Sequence, residues 1–214
     1  LKLSQRPDLS ANPASLASVD AALARAGKSI SDMAYIDFYS CFAIPVFNQC
    51  DHFGLTADDP RGLTVTGGLP YFGGAGNGYS SHAITEMVDG LRAKPGSFGL
   101  VGANGGFQSK YAALVLSTQP APFPGWSEAR RPDDGAPVVA DLVEGAGRIE
   151  TYTVVFGKTG PERGIVIGRQ SDGTRFVANT PADLETLNRL MEKDSLGSPG
   201  TVSSQDGRNV FVPA

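Results

Sequence analysis

The sequence lacks long hydrophobic runs and any excess of basic residues. No apolar stretch reaches the roughly 20 residues that a membrane-spanning helix needs, and no charged-then-apolar signal segment opens the chain. The 214 residues include 18 Lys and Arg against 22 Asp and Glu, which gives a net charge of −4. An acidic balance disfavours binding to nucleic acid or to an anionic membrane surface. We therefore expect a globular protein that binds neither.

Cysteine and histidine are also scarce. The two cysteines, Cys41 and Cys50, do not resemble a disulfide framework, so a reducing, cytoplasmic location is expected. Together with His52 and His82 they do not show the spacing of zinc ligands, and we expect no metal site. The composition is otherwise that of an ordinary globular protein, with 41% hydrophobic and 19% charged residues.

Glycine is concentrated in the stretch around which the rest of the chain is organised, residues 63–83. Residues 63–66 are apolar and β-branched and predict a short strand, and a helix follows with an apolar stripe. The stripe consists of Ile84, Met87, Val88 and Leu91. The intervening glycines are Gly67, Gly68, Gly73, Gly74, Gly76 and Gly78. Such a loop gathers N–H donors for an anion or an oxyanion. It has neither dinucleotide nor phosphate-loop spacing, so a ligand role and a turn or packing role both remain open.

The first part of the chain alternates helices with strands. Helices are predicted from Pro13 to Gly27, from Pro45 to Gly54 and from Ser80 or Ser81 onward. Strands are predicted over residues 34–39, 63–66, 98–103 and 111–117. This order predicts a largely parallel sheet covered by helices. Because the carboxyl ends of parallel strands share one edge, residues 39–41, 67–68 and 104–105 are expected to converge there.

The second part of the chain follows a proline-rich stretch. Residues 118–137 predict a semi-rigid linker in which Trp126 docks on a flanking domain. Residues 138–214 show five strands with one helix between the third and fourth, the order of an oligonucleotide/oligosaccharide-binding (OB) barrel. Its few aromatics and acidic balance argue against a groove for single-stranded nucleic acid. The predicted class is therefore α/β over residues 1–117, a linker, and a small OB-like β domain.

Four segments in the first part resemble the C-terminal half of a thiolase. They are residues 21–27, 35–42, 66–68 with the glycine loop, and 103–106, and the resemblance covers residues 12–117. The closest branch is the sterol-carrier-type thiolases and thiolase-like acetyl-CoA acetyltransferases, some of which carry an extra C-terminal domain like residues 138–214. The resemblance implies a thiolase half-fold and lipid-metabolic chemistry on coenzyme A thioesters, which are bound as substrate or ligand without a covalent cofactor.

The resemblance also indicates which family residues are replaced. Tyr39 stands where the family has His or Asn, Gly74 and Ala75 stand where it has His-Pro, and Ala103 stands where it has its second cysteine. Glycine and alanine cannot transfer protons, so ordinary thiolysis is not expected. The candidate catalytic residues are Tyr39, His82 and Asn104. Candidates for binding the thioester are Gly67, Gly68, Gly73, Gly74, Asn77 and Gly105. Cys41, beside Tyr39, is expected to be buried and inert.

Three functions follow from this resemblance. The first is an acyltransferase homologue that is complete only with the N-terminal thiolase half, supplied by a longer chain or a partner subunit. The second is a non-catalytic module that binds coenzyme A esters or docks a partner. The third is an acyl-CoA retro-aldolase that uses Tyr39, since carbon–carbon cleavage of that kind needs no cysteine. If the chain is one half of a thiolase, the apolar stripe of residues 84–91 is expected either to be covered by a partner, which could be another copy in an oligomer, or to be exposed.

Overall fold

The computed structural model describes residues 2–74, 76–122, 125, 135–192 and 194–214. The chain divides into two compact units, Ser10–Pro132 and a second unit made of Leu1–Leu9 with Asp133–Ala214. The predicted docking of Trp126 lies outside the described residues. Across these described ranges, no helix has both the length and the apolar character needed to traverse a membrane.

The first unit is a mixed sheet with helices. Its helices are α1 Pro13–Ala26, α2 Ala43–Phe53, α3 Leu69–Phe72 and α4 Tyr79–Ala93, and its strands are β1 Met33–Asp37, β2 Phe98–Gly105 and β3 Lys110–Ser117. The strand order is β1-β2-β3. β1 runs parallel to β2 and β2 runs antiparallel to β3. We call this the α/β unit.

Helix α1 shows how local sequence sets its own ends. Pro13 occupies the first turn, where a missing N–H costs nothing, and Val19 and Leu23 are buried. Gly27 ends the helix in the left-handed conformation (φ 61°), and its N–H donates to the carbonyl of Ala24 at 3.0 Å. The predicted bounds of this helix are therefore confirmed.

The strand predicted over residues 63–66 is wrong. The segment lies beside β1, where the Phe38 N–H donates to the Leu63 carbonyl at 2.9 Å. The next donor, the Val65 N–H, bonds to the side chain of Asp37 at 3.0 Å rather than to the backbone of β1. A side-chain carboxylate therefore replaces the ladder partner and no strand forms. Helix α4 likewise begins at Tyr79 after Gly78, earlier than the predicted serine caps.

The second unit contains a closed barrel. Its elements are β4 Gly145–Gly157, β5 Gly160–Arg169, β6 Arg175–Asn179, α5 Leu184–Glu192, β7 Pro199–Gln205 and β8 Arg208–Pro213, and a short 3-10 helix, Leu3–Gln5, belongs to the same unit. The barrel order is β4-β5-β6-β8-β7, with β7 pairing back onto β4. Five strands in this order with a helix between the third and fourth confirm the OB-like prediction.

Candidate functional site

Three segments meet at the carboxyl edge of β1 and β2. The Nδ2 group of Asn104, near the end of β2, donates to the Sγ atom of Cys41, which follows β1, over 3.6 Å. The Leu69 N–H, directly after the first glycine pair, donates to Ser40 Oγ at 2.9 Å. These two contacts bring together the turn after β1, the end of β2 and residues 63–69, which we call the glycine segment. The predicted convergence is therefore confirmed; the parallel order of β1 and β2 accounts for two of the three segments.

Tyr39 immediately precedes Ser40 and Cys41 in the turn after β1. Its ring packs edge-on against Tyr79, with centroids 5.4 Å apart. Burial, with a smaller contribution from the charge of Cys41, raises the pKa of the Tyr39 phenol above its ordinary value. The phenol is therefore neutral at physiological pH, so it is able to donate a hydrogen bond but is a poor base.

Asn104 and Cys41 form the polar pair of the edge. Both are half-buried, so the prediction that Cys41 is buried is wrong; its inertness stays a prediction. Because the side chain of Asn104 donates through Nδ2 to sulfur, its Oδ1 atom is left as an acceptor. That atom is buried and, among the residues that the structure describes, it has no hydrogen-bond partner. An unsatisfied buried acceptor is unusual and indicates a place for a ligand or water donor.

His82 does not join this group. It is exposed in the first turn of α4, and its ring lies 5.2 Å from the ring of Phe72. Within the described part of the chain, no hydrogen bond links His82 to Tyr39, Cys41 or Asn104. The edge therefore contains a phenol, a thiol and an amide, but no imidazole.

The predicted glycines separate into two sets. Gly68 is buried with φ 98°, and a Cβ atom there would lie 3.5 Å from Ser40 Oγ. Gly67 immediately precedes it, and Gly105 adjoins Asn104 at the end of β2. By contrast, Gly73, Gly74 and Asn77 lie beyond α3 and are exposed. Their neighbour Ala75 is outside the described residues.

Sequence reasoning missed Asp37, which is fully buried at the end of β1. Its Oδ2 atom accepts hydrogen bonds from the Val65 N–H at 3.0 Å and from the Tyr79 hydroxyl at 3.2 Å. The Tyr79 hydroxyl also contacts Thr66 Oγ1 at 2.7 Å. Burial raises the pKa of Asp37 to about 6, although both hydrogen bonds act to lower it. The only sequence signal was an acidic residue within an apolar strand.

Tyr111 on β3 is a second buried polar group near this edge. Its hydroxyl has no hydrogen-bond partner in the described ranges. A Cβ atom on Gly102 would fall 2.3 Å from that hydroxyl, so the glycine makes room for it. Burial raises the pKa of Tyr111 strongly, and the charges of Asp37 and Cys41 raise it further. Tyr111, which lies opposite Asn104 in the β2–β3 register, is therefore neutral at physiological pH.

The apolar stripe of α4 is covered within the α/β unit. Met87 and Leu91 are buried in a cluster with Tyr79, Ala83 and Val101. Ile84 and Val88 are half-buried. The expectation that a partner covers this stripe, or that it lies exposed, is therefore wrong for Met87 and Leu91. Sheet residues of the same chain bury both side chains.

No cluster of metal-binding side chains is found in the part of the chain that the structure describes. No three His, Cys, Asp or Glu side chains there come close enough together to hold an ion.

Comparison with known proteins identifies the class of this fold. Residues 130–208 match the family described as the thiolase-like protein type 1 additional C-terminal domain. The whole chain is similar to the monomeric SCP2-thiolase-like protein type 1 of Mycobacterium smegmatis, known from a crystal structure, with a TM-score of 0.91 and 45% identity. The match covers 100% of this chain and 48% of that one, so the chain spans about half the length of this relative. No curated protein matches the chain.

These matches agree with the OB-like barrel and the helix-covered sheet, and they define a thiolase-like fold. Residues 130–208 resemble the additional C-terminal domain of thiolase-like proteins, and the whole chain resembles about half of an SCP2-thiolase-like protein.

Proposed function

We propose that this chain is the acyl-CoA-binding C-terminal portion of a thiolase-like protein and that it does not catalyse ordinary thiolysis. The observation that carries the proposal is the Asn104–Cys41 contact at 3.6 Å, with the Asn104 Oδ1 atom buried and open to a donor. A thioester bound at this edge, between β2 and the glycine segment, would lie beside groups that can hydrogen-bond to it.

The groups at the edge favour binding over turnover. Thiolysis needs a thiolate, a base that activates it and a second group that transfers a proton. Tyr39 is held neutral by its raised pKa, and an amide such as that of Asn104 does not transfer protons. His82 lies on the exposed side of α4. Cys41 therefore has no imidazole base among the residues that hydrogen-bond at this edge.

The remaining features of the function are part of the same proposal. The relative is about twice as long as this chain, so an N-terminal thiolase half is the partner that would complete the fold. The ligand would be a coenzyme A thioester, handled in the cytoplasm as part of lipid metabolism. The exposed apolar residues Phe42, Ile44, Phe47 and Tyr71, on α2, α3 and the turn before α2, are available to that partner.

Replacing Asn104 with alanine tests the proposal. We expect acetyl-CoA to bind the unmodified chain, measured by isothermal titration calorimetry, and to bind Asn104→Ala at least about tenfold more weakly, because one polar contact of about 1.4 kcal/mol is lost. Asn188→Ala is the matched control, since Asn188 is exposed on α5 of the second unit. Its affinity should equal that of the unmodified chain.

A turnover assay on the same samples separates binding from catalysis. With acetoacetyl-CoA and coenzyme A, we expect no thiolytic cleavage. Equal affinities for Asn104→Ala and the unmodified chain would contradict the proposed site, and thiolysis by the unmodified chain would contradict the proposed lack of catalysis. Carbon–carbon cleavage of an acyl-CoA that disappears in Tyr39→Phe would instead indicate a retro-aldolase.

A further inference from the structure

The barrel unit contains a fully buried arginine, Arg175 on β6. Arginine is seldom buried unless its donors are paired. Its Nε atom donates to Glu150 Oε2 at 2.7 Å, and its Nη2 atom donates to the other carboxylate oxygen of Glu150. Arg169 donates to the same carboxylate at 2.8 Å. Glu150 therefore fixes the plane of the Arg175 guanidinium and is itself held by a second arginine.

The other N–H groups of this guanidinium are directed at the segment 3–7. Arg175 Nη1 donates to the backbone carbonyl of Ser4 at 2.8 Å and also to that of Arg6. Arg175 Nη2 donates to the carbonyl of Pro7 at 3.3 Å. Three backbone oxygens within four residues thus converge on one side chain. The short 3-10 helix Leu3–Gln5 gives the segment the bend that allows this, and the Arg6 N–H closes it by donating to the Leu3 carbonyl.

These contacts couple the barrel to the segment 3–7. A guanidinium has five N–H donors in a rigid, planar arrangement. In Arg175, one side of this plane donates to Glu150 and the other side donates to the carbonyls of the segment 3–7. Burying Arg175 without the three carbonyls would leave charged donors unsatisfied, which is strongly unfavourable. The recognition involves backbone oxygens, so it depends on the shape of the segment more than on its side chains.

We propose that the barrel is a docking site for the segment 3–7 of this same chain, that Arg175 anchors the segment, and that Glu150 positions Arg175. This assigns the additional C-terminal domain a role as an intramolecular clamp. The role is independent of thioester binding at the edge of β1 and β2, because the clamp lies entirely within the second unit.

Hydrogen exchange on the full chain tests the clamp through the amides of Gln5 and Arg6. The Gln5 N–H donates to the Lys2 carbonyl and the Arg6 N–H donates to the Leu3 carbonyl, both within the segment's own turn. So short a helix does not persist undocked, so Arg175→Met should speed the exchange of both amides by at least about tenfold. Trypsin should cut after Lys2 faster by a similar factor. Arg163→Met is the matched control, since Arg163 is exposed on β5; its exchange and cleavage should equal those of the unmodified chain.

The barrel itself is monitored in the same experiment by the amides of β5. Arg175→Met leaves Glu150 paired with Arg169, so β5 should stay protected. If β5 loses protection in Arg175→Met, exchange of the Gln5 and Arg6 amides is measured in Arg175→Lys instead, because lysine keeps the charge but lacks the guanidinium's set of planar donors. Gln5 and Arg6 amides that stay fully protected in a variant whose barrel is folded would overturn the clamp. So would fast exchange of these amides in the unmodified chain.

Discussion

Replacing Asp37 with asparagine is expected to make the α/β unit more stable at neutral pH, by up to about 3 kcal/mol. The pKa of the buried carboxyl is raised from 3.8 to about 6, and each tenfold change in its ionisation equilibrium corresponds to about 1.4 kcal/mol. Ionised Asp37 is therefore a net cost to the folded state. Asparagine has nearly the same shape, its carbonyl oxygen can still accept the hydrogen bonds of Val65 and Tyr79, and it carries no charge to desolvate. Its Nδ2 group would take the place of Asp37 Oδ1, which is buried without a partner among the described residues, so about 3 kcal/mol is the upper limit of the gain.

The sign of the pH dependence follows from the direction in which the pKa of Asp37 moves. Between pH 4 and 6 the folded state of the unmodified protein binds more protons at Asp37 than the unfolded state does. Stability from this group is therefore fully present below the unfolded pKa and is lost as the pH rises through the folded pKa. The advantage of Asp37→Asn should be smallest near pH 4 and should reach a plateau above pH 7.

Urea denaturation of both proteins across this pH range, followed by circular dichroism, measures the difference in unfolding free energy. Asp89→Asn is the control, because Asp89 is exposed on α4 and, among the residues that the structure describes, forms a single ion pair, a 3.9 Å contact with Arg92. It should change the unfolding free energy by less than about 0.5 kcal/mol throughout. A difference between Asp37→Asn and the unmodified protein that does not vary with pH would show that Asp37 has no raised pKa.

The largest loss of stability is expected from Phe176→Ala in the barrel. Phe176 is fully buried, and its ring lies 5.9 Å from that of Phe211. Two glycines make room for it, since Cβ atoms on Gly147 and Gly168 would lie 2.9 and 2.3 Å from ring carbons. Truncation leaves a cavity between these strands that the backbone cannot readily fill. We expect a loss of about 3–5 kcal/mol.

Phe156→Ala is the matched control, because it removes the same ring from the same barrel at a position that is 62% exposed. Its cost should be below about 1 kcal/mol. Denaturant-dependent hydrogen exchange of the β5 amides reports on the barrel separately from the α/β unit. Equal losses for the two variants would contradict the placement of Phe176 at the barrel centre.

Local signals in the sequence were enough to predict several elements. Pro13 and Gly27 fixed the ends of α1, and turn residues with alternating strands predicted the OB-like barrel, including its helix between the third and fourth strands. These features depend on interactions a few residues apart or on element order. The convergence of the turn after β1 with Asn104 could also be predicted, because the parallel strands β1 and β2 bring their carboxyl ends to one edge. Leu69 reaches the same edge without the strand that was predicted before it.

Features that depend on distant contacts could not be predicted. Residues 63–66 have strand-like composition, yet the carboxylate of Asp37 takes the Val65 N–H that a ladder would need. The clamp on the segment 3–7 depends on Arg175, about 170 residues away, and no local pattern indicates it. The role of Asp37 likewise depends on burial by Tyr79 and the glycine segment, which only the folded chain provides.

Nuclear magnetic resonance titration with acetyl-CoA tests the proposed thioester site most directly. In spectra of the isotope-labelled chain, we expect the largest changes in chemical shift at the backbone amides of Gly68, Leu69 and Gly105 and at the side-chain amide of Asn104. Coenzyme A without an acyl group should move the Asn104 signal less. Amides at this edge that do not move at millimolar acetyl-CoA, or changes confined to the barrel strands, would contradict a thioester site between β1, β2 and the glycine segment.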